Sequence, residues 1–455
     1  MSIFSALFDS KTYSFEQAFG VKDITSSEMI AAIRSWFAIY FEGDSPRDEN
    51  DCQRLPVAIV HKLTKAAFSE YETSIKRVGA KADFMTALTK RLDSIKKTAV
   101  QQALVGGECF IKPILTGAGF DFSVVRRDCF IPLARDTTGR ITSVGTAEFT
   151  VQGGKYYTLM ERRTVRADGA LTIESKLYGS DSRACIGTQI GLDALNTYAV
   201  LQPIVTLPGI YNLGMIPVKT PMLNCVDGSY DGVSVYAPAV KLIQSINRNE
   251  RQMDDEFENG ASRIIASADM VMKGPDGRRK LPEKLFLALD EDPATVGMTV
   301  FSPALRESSF LARKTEYLRN IESLIGLKRG LLSEVEAAAR TATEITSSQG
   351  DYSLTIQDFQ EMWETAFREL LGTCDRLGQV YKLCDADEFD PDKELIVDWG
   401  DGILYDRTRT WQEYQSMVSS GMLKPELALA WYFNLPHDTL EDLQKIREDY
   451  MPEED

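Results

Sequence analysis

The first hundred residues of the chain carry apolar residues at helical spacing. Six apolar residues between positions 29 and 41 fall on one helical face, and the same spacing continues to about residue 105. Thr25 and Glu28 stand three residues apart just before this face, which is the spacing of a capping box. The pattern therefore predicts helices over residues 25–105, the first of them capped by Thr25.

The period of the pattern changes at Gly106, where apolar and polar residues begin to alternate. Alternating runs are separated by Gly-Gly and Asp-Gly pairs, which favour the tight turns of hairpins. The alternation extends to about residue 225 and predicts an antiparallel meander. Neither glycine pair, at 106–107 or 153–154, is followed by Lys and then Ser or Thr at the spacing of a phosphate-binding loop, so we interpret both as turns.

Helical spacing returns over residues 234–261 and again over 306–325. Ser234 is the candidate N-cap of the first of these helices, and Pro238 is acceptable only in its first turn. Dense charge surrounds one apolar stripe on each helix, which is typical of a helix that packs between neighbours. The residues between them, 264–305, predict a small insert of short strands and turns.

Glycine interrupts the next segment, 326–340, and a long helical stretch begins beyond it. Thr341 and Glu344 have the spacing of a capping box, in which the hydroxyl of Thr341 accepts a hydrogen bond from the N–H of Glu344. Ser333 and Glu336 repeat this spacing eight residues earlier, so two helix starts compete here. The stretch predicts a helix start rather than a site for a ligand or a phosphate.

The long helical stretch contains Gly350 and Asp351, which predict a kink in its middle. The run "KELIVDWGDGILYDR" predicts a strand and a turn after this helix. A final helical segment follows the turn and closes the chain.

The charge of the chain limits the kinds of partner that suit it. Its 455 residues are enough for two or three folding units, and its formal net charge is −16, from 67 acidic and 51 basic residues. Tight wrapping of nucleic acid is disfavoured, because affinity for DNA comes largely from neutralised phosphates. A protein past which DNA slides without being held is compatible with this charge.

Cysteines and the N-terminus indicate the compartment. Seven scattered cysteines, none in CxxC spacing, predict free thiols, a reducing environment and no zinc site. The first residues lack the basic start of a signal peptide, and prolines break the longest uncharged run, 194–218. We therefore expect neither a secreted protein nor a membrane-spanning one.

Three acidic residues form the best candidate for an enzyme site. Asp398, Asp401 and Asp406 follow the last predicted strand, and acids at a strand end can hold Mg²⁺ for phosphoryl chemistry. A polar turn followed by Asp406 as an N-cap explains the same residues. No nuclease-like motif lies nearby, and the two histidines of the chain leave few general bases. We therefore expect no catalytic site, no metal and no cofactor.

The densest basic patch of the chain is "KGPDGRRK" at 273–280. Its last three residues, Arg278, Arg279 and Lys280, suit contact with nucleic acid or with an acidic partner. A solvated hairpin tip accounts for the same pattern, and the two interpretations are compatible.

The order of these parts resembles the portal proteins of tailed bacteriophages, of the siphophage type. Their order and spacing carry the resemblance over residues 24–435, and no one of them is diagnostic alone. The chain departs from the family in lacking a long C-terminal crown extension, so we expect a small crown. Four stretches match the family: "NLGMIPVKTPMLN", "YDGVSVYAPAVKLIQSINRNERQMDDEFENGASRIIA", "ARTATEI" and "VDWGDGILYDRTRTWQEYQSMVSSGMLKPELALAWYFNL".

The resemblance implies an α+β portal fold. Its parts are a helical and β-rich wing, a two-helix stem, a small α/β clip, a long kinked helix and a short helical crown. The implied boundaries are 1–225 for the wing, 226–263 for the first stem helix, 264–305 for the clip, 306–325 for the second stem helix, 326–340 for the tunnel loop, 341–402 for the long kinked helix and a strand returning to the wing, and 403–455 for the crown.

The resemblance also implies a function. The protein would form a ring, usually of twelve subunits, at one vertex of the capsid, and double-stranded DNA would pass through its centre during packaging and ejection. The terminase large subunit would dock on the clip and hydrolyse ATP, while the portal itself would not be an enzyme. The other implied partners are the major capsid protein, the scaffolding protein and the head–tail adaptor. The protein would reside in the virion and, during assembly, in the host cytoplasm, without contact to a membrane.

The site residues follow from the same resemblance. Lys328, Arg329 and Arg340 in or beside the tunnel loop are expected to touch the DNA. The basic residues of the clip, Arg278, Arg279 and Lys280, are expected to dock terminase or the adaptor.

Two rival hypotheses remain at this point. One is a metal-dependent DNA-processing enzyme that uses Asp398, Asp401 and Asp406. The other is a different ring of the head–tail connector, against which the length of the chain argues, because those proteins are usually much shorter.

Overall fold

A computed structural model gives the structure of the protein over residues 15–41, 53–116, 119–182, 185–260, 304–333, 342–400, 407–433, 435 and 440–451. Between 263 and 301 it describes four short strands. No helix in these ranges is both long enough and apolar enough to cross a lipid bilayer.

Helices form the N-terminal part of the described chain, as the apolar pattern predicts. Ser26, and not Thr25, caps the second of them, because Ser26 Oγ accepts a hydrogen bond from the N–H of Met29 at 3.1 Å. Thr25 is buried, and its hydroxyl instead accepts a hydrogen bond from the guanidinium of Arg127 at 3.4 Å. The predicted Thr25 cap was therefore wrong. The helices are α1 (Phe15–Phe19), α2 (Ser27–Tyr40), α3 (Leu55–Ala67) and α4 (Ala80–Gly106).

Antiparallel strands follow α4, which confirms the predicted meander. They are β2 (Glu108–Thr116), β3 (Gly119–Val125), β4 (Phe130–Arg135), β5 (Ile141–Gln152), β6 (Lys155–Val165), β7 (Leu171–Ser180), β8 (Thr188–Ile190), β9 (Ile204–Leu207) and β10 (Ile216–Lys219). One sheet has the order β10–β2–β3, and the larger sheet has the order β4–β5–β6–β7–β8, with β9 also paired to β7. The two sheets together form the β-rich part of the chain.

A small sheet joins distant parts of the sequence. Strand β1 (Glu72–Ile75) pairs antiparallel with β15 (Leu395–Asp398). Trp399 lies beside this pair, with its ring centroid 5.7 Å from that of Phe68 and 4.7 Å from that of Tyr71. The helical prediction was wrong at β1, because the strand depends on a partner near the other end of the chain.

Two antiparallel helices, α5 (Val240–Asn259) and α6 (Glu307–Ile325), flank the predicted insert. Ion pairs tie them together: Lys314 lies 3.2 Å from Glu250, and Arg306 lies 2.6 Å from Glu256. Hydrogen bonds from Arg306 hold the pKa of Glu256 below its usual range. The insert contains two antiparallel strand pairs, β11 (Arg263–Ala266) with β14 (Met298–Phe301) and β12 (Met272–Lys273) with β13 (Arg279–Lys280).

Helix α5 begins later than predicted. Ser234 is fully buried, and its hydroxyl donates a hydrogen bond to the carbonyl of Leu104 at 3.1 Å instead of capping a helix. Pro238 lies in a short 3₁₀ helix, Ala237–Ala239, just before α5. There the missing N–H of proline removes no helical hydrogen bond.

Helix α7 (Ala342–Val380) is the longest helix of the described chain, and it continues through Gly350 and Asp351. The kink expected at these two residues stays a prediction. Trp363 and Phe367 on α7 are fully buried in the largest apolar core, to which all helices from α2 to α7 contribute. Four further α-helices lie in the described residues after α7: α8 (Pro391–Glu394), α9 (Arg407–Ser419), α10 (Pro425–Phe433) and α11 (Leu440–Tyr450).

Candidate nucleic-acid interface

Helix α6 ends on a glycine that turns the chain sharply. Gly326 has φ +77°, a left-handed conformation that side chains disfavour, and a Cβ there would overlap Oγ1 of Thr355. The next N–H, of Leu327, donates to the carbonyl of Glu322 at 2.8 Å. Leu327 is buried in the main core. The chain is therefore anchored immediately before the two cations that the sequence analysis singles out.

A tight turn presents these two cations. The N–H of Leu331 donates to the carbonyl of Lys328 at 3.1 Å, which closes a four-residue turn. Gly330, at its third position, has φ +89°, as a type II turn requires. Lys328 is half-buried and Arg329 is exposed. Within the described part of the chain, no acidic side chain forms an ion pair with Lys328 or Arg329, so their positive charge is available to a partner.

A buried carboxylate holds the other end of the turn. Glu322 has no solvent-exposed surface. One of its oxygens accepts hydrogen bonds from the N–H of Leu332 at 2.6 Å and from the N–H of Ser333 at 2.9 Å. The N–H of Gly330 donates to both oxygens, at 3.1 and 3.2 Å, and the hydroxyl of Ser333 donates to the second oxygen at 2.8 Å. These donors replace the water that the carboxylate loses on burial.

Glu322 is the residue that sequence analysis missed. In the sequence, Glu322 follows Arg319 by three residues, which is the spacing of an ion pair on an exposed helix surface. One feature of the sequence does mark Glu322: it lies on the apolar face of α6, at helical spacing from Leu318 and Ile325. An acid on that face needs buried donors, and the glycine-broken segment after α6 supplies them.

The structure describes only some of the predicted residues around the second helix start. Helix α7 begins at Ala342, and Glu344 lies in its first turn. Arg340 and Thr341 lie outside the described residues, so the DNA contact of Arg340 and the Thr341–Glu344 cap stay predictions. Ser333, the earlier of the two candidate caps, donates its hydroxyl hydrogen bond to Glu322 instead.

The basic residues of the insert lie on a strand pair. Arg279 and Lys280 form β13, where they are opposite Lys273 and Met272 of β12. Arg278 lies outside the described residues. The hairpin interpretation of this patch agrees with the strand pair, and its role in docking stays a prediction.

The structure describes one of the three residues of the acidic cluster, Asp398. Asp398 ends β15, and its side chain accepts a hydrogen bond from the N–H of Gly400 at 2.8 Å, as a turn residue does. Asp401 and Asp406 lie outside the described residues. Across the ranges that the structure covers, no group of three or more His, Cys, Asp and Glu side chains is arranged to hold a metal ion.

Comparisons with known proteins give a family and solved structures, of which two are described below. The family described as "Phage portal protein, SPP1 Gp6-like" matches residues 71–453. No curated protein matches the chain.

Both solved structures are necks of GTA particles. The neck of the empty GTA particle, computed with C6 symmetry, superposes with a TM-score of 0.50 at 14% identity, over 92% of this chain and 97% of that chain. The neck of the native GTA particle, computed with C12 symmetry, gives a TM-score of 0.45 at 14% identity over the same shares. At this identity, the likeness to the empty-particle neck shows a common fold.

Proposed function

The chain belongs to the SPP1 Gp6-like family of phage portal proteins, and from this premise we propose that it forms a ring with a central channel for double-stranded DNA. As a portal protein it is a structural, non-enzymatic component of the head–tail connection of the virion. Membership in this family excludes both the metal-dependent enzyme and the alternative connector ring.

The proposed ring contains twelve copies and occupies one vertex of the capsid. The neck of the empty GTA particle, which shares the fold, was computed with C6 symmetry, and a ring of twelve identical subunits contains that symmetry. The dense charge around the apolar stripes of α5 and α6 fits helices that pack against neighbouring copies as well as against each other.

The observation that carries the DNA contact is the turn after α6. It presents Arg329 to solvent, and no acidic residue of the described chain pairs with it. The whole chain has a net charge of −16, so a few uncompensated cations would touch phosphates without holding the duplex. In this proposal the segment 326–340 is the tunnel loop, and Lys328, Arg329 and Arg340 are its contacts with DNA.

The remaining parts take the roles that portal architecture suggests. Residues 1–225 would form the wing, α5 and α6 the stem, 264–305 the clip, and 403–455 the crown. The clip would dock the terminase large subunit and the head–tail adaptor through Arg278, Arg279 and Lys280. The major capsid protein and the scaffolding protein would contact the ring during assembly of the capsid.

Two measurements test this function. Electron microscopy of the purified protein should show rings with an axial hole, and a protein without such rings would contradict the proposal. Alanine at Lys328, Arg329 and Arg340 together should reduce DNA packaging and retention.

The control for the triple variant removes the same charge elsewhere. Alanine at Lys90, Lys97 and Lys155 changes three exposed lysines, two on α4 and one at the start of β6. Equal packaging by both triple variants and the wild type would overturn the assignment of the DNA contact while leaving the ring in place.

A further inference from the structure

The structure describes residues 326–333 of the segment 326–340. Their backbone hydrogen bonds return to α6 or close the turn 328–331, and Glu322 accepts bonds from both ends of this turn. We propose that Glu322 is the positioning residue for Arg329: its buried carboxylate fixes the turn and holds the arginine at a constant place on the channel wall. This inference rests on the proposed function, because it assumes that Arg329 meets the DNA.

Four hydrogen-bond donors converge on the carboxylate of Glu322. The N–H groups of Gly330, Leu332 and Ser333 and the Ser333 hydroxyl all point at the Glu322 carboxylate, within 2.6 to 3.2 Å. Backbone N–H groups that converge in this way form an anion-binding nest. Here the anion belongs to the preceding helix, so the nest ties the chain after the turn back to α6.

An exposed acid this close in sequence would compete with DNA phosphates for Lys328 and Arg329. Glu322 is instead buried and satisfied by backbone and hydroxyl donors, and no basic residue of the described chain forms an ion pair with it. The carboxylate therefore fixes the turn without neutralising the cations that the turn presents.

Leu327 is buried before the turn, and Glu322 holds Gly330 and Ser333 after it, so the backbone of Arg329 is fixed on both sides. A group displayed from a fixed backbone loses less conformational freedom on each contact than one on a free loop. In a symmetric ring, the same constraint would place every copy of Arg329 at one radius and one height.

The first experiment tests the tether by amide hydrogen exchange on the assembled protein. In Glu322→Gln, an amide replaces the carboxylate and presents its own N–H donors to the backbone donors, so several hydrogen bonds weaken. We expect the amides of residues 330–333 to exchange about tenfold faster or more. Ser333→Ala removes only the hydroxyl donor and should give a smaller increase in the same amides.

The control is Glu316→Gln, which removes an exposed carboxylate from the same helix. It should leave exchange in residues 330–333 unchanged. Exchange in Glu322→Gln equal to that of the wild type would overturn the tether.

The second experiment tests positioning by measuring DNA packaging for the wild type, Glu322→Gln, Arg329→Ala and the double variant. If Glu322 acts through Arg329, its substitution should reduce packaging about tenfold or more in the wild-type background and have no further effect in the Arg329→Ala background. A purely structural role would give the same loss in both backgrounds and would overturn the proposal.

The two proposals fail differently in these measurements. Normal packaging by Arg329→Ala would overturn the DNA contact and, with it, the positioning role. Reduced packaging by Arg329→Ala together with normal packaging by Glu322→Gln would overturn the positioning role alone.

Discussion

The ammonium of Lys112 lies 2.7 Å from the carboxylate of Glu161, and this buried ion pair joins the two sheets of the protein. Lys112 belongs to β2 of the three-stranded sheet, and Glu161 belongs to β6 of the larger one. Arg163, also buried, approaches the same carboxylate at 3.3 Å. Removing one partner of a buried ion pair destabilises the folded protein, because the other charge is left buried and unpaired.

This pair makes the stability of the protein depend on pH. Burial raises the pKa of Glu161, but Lys112 and Arg163 outweigh it and lower the pKa to about 2. Because the folded-state pKa is depressed, the contribution to stability is complete above the usual value of 4.5 and is lost as the pH falls towards 2. Glu161→Gln should lower the free energy of unfolding at pH 7 by about 3 kcal/mol, because it leaves buried cations unpaired. It should also flatten the pH dependence below 4.5 in urea denaturation.

Glu108 is the matched control, because it is equally buried and has the opposite shift. Burial raises its pKa more than Arg127 lowers it. Ionisation of Glu108 therefore costs stability as the pH rises through its folded-state pKa, and the protonated form contributes fully below the usual value. Glu108→Gln loses the ion pair with buried Arg127 at 3.4 Å, but it also removes a carboxylate whose charge burial disfavours, and Arg127 keeps Asp231 at 3.4 Å. The variant should therefore lower the free energy of unfolding at pH 7 by less than Glu161→Gln does. Equal losses in the two glutamine variants would contradict this account of both sites.

Gly326 should tolerate no side chain. Gly326→Ala introduces a Cβ at φ +77° that overlaps Thr355, so we expect a loss of about 2 kcal/mol in thermal or urea denaturation. Gly153→Ala is the matched control, because Gly153 has φ +60° and open space around it. This variant should lower the free energy of unfolding by only about 1 kcal/mol. Thr355→Ala removes the overlapping atom and should restore part of the difference in the double variant. Equal losses at Gly326 and Gly153 would show that the overlap is unimportant.

Local signals in the sequence predict much of this fold. Alternation and Gly-Gly or Asp-Gly turns give the hairpins of the meander, and apolar spacing gives the helices, since both depend on neighbouring residues. Strand β1 was missed because its partner, β15, lies near the other end of the chain. The Thr25 and Ser234 caps were wrong for a related reason, because distant residues, Arg127 and Leu104, engage their hydroxyl groups.

Some residues of the candidate site could also be identified from the sequence, and others could not. Lys328 and Arg329 could be selected from the sequence, because cations beside glycines before a long helix suggest an exposed turn. Glu322 could be noticed as an acid on an apolar helix face, but its role could not be predicted, because that role depends on where the backbone of Ser333 returns after the turn. Most of its donors are backbone N–H groups, which every residue except proline has and which therefore leave no mark in the sequence.

The basic strand of the insert should contribute to docking of the motor. The double variant with Arg279→Glu and Lys280→Glu reverses two charges on β13, and we expect its affinity for the terminase large subunit to fall about tenfold or more while rings still form. Reversal of Lys90 and Lys97, exposed on α4, provides a control with the same change of net charge. Binding of the terminase large subunit can be measured on surface-immobilised rings. Unchanged affinity in the β13 variant would exclude this strand as a docking surface.

Arg329 should act through its charge. Arg329→Lys keeps the charge and should retain most packaging, whereas Arg329→Gln keeps a polar side chain without the charge and should reduce the DNA retained in filled capsids. Lys328→Gln should have a smaller effect, because Lys328 is half-buried while Arg329 is exposed.

The dependence on salt separates a phosphate contact from a structural role for Arg329. A contact between charges is screened by salt, and the screening length falls to about 3 Å at 1 M ionic strength. The difference in retained DNA between the wild type and Arg329→Gln should therefore be largest at low salt and should nearly disappear near 1 M. A difference that persists at high salt would mean that the substitution acts on the structure of the turn, since a packing defect does not depend on screening.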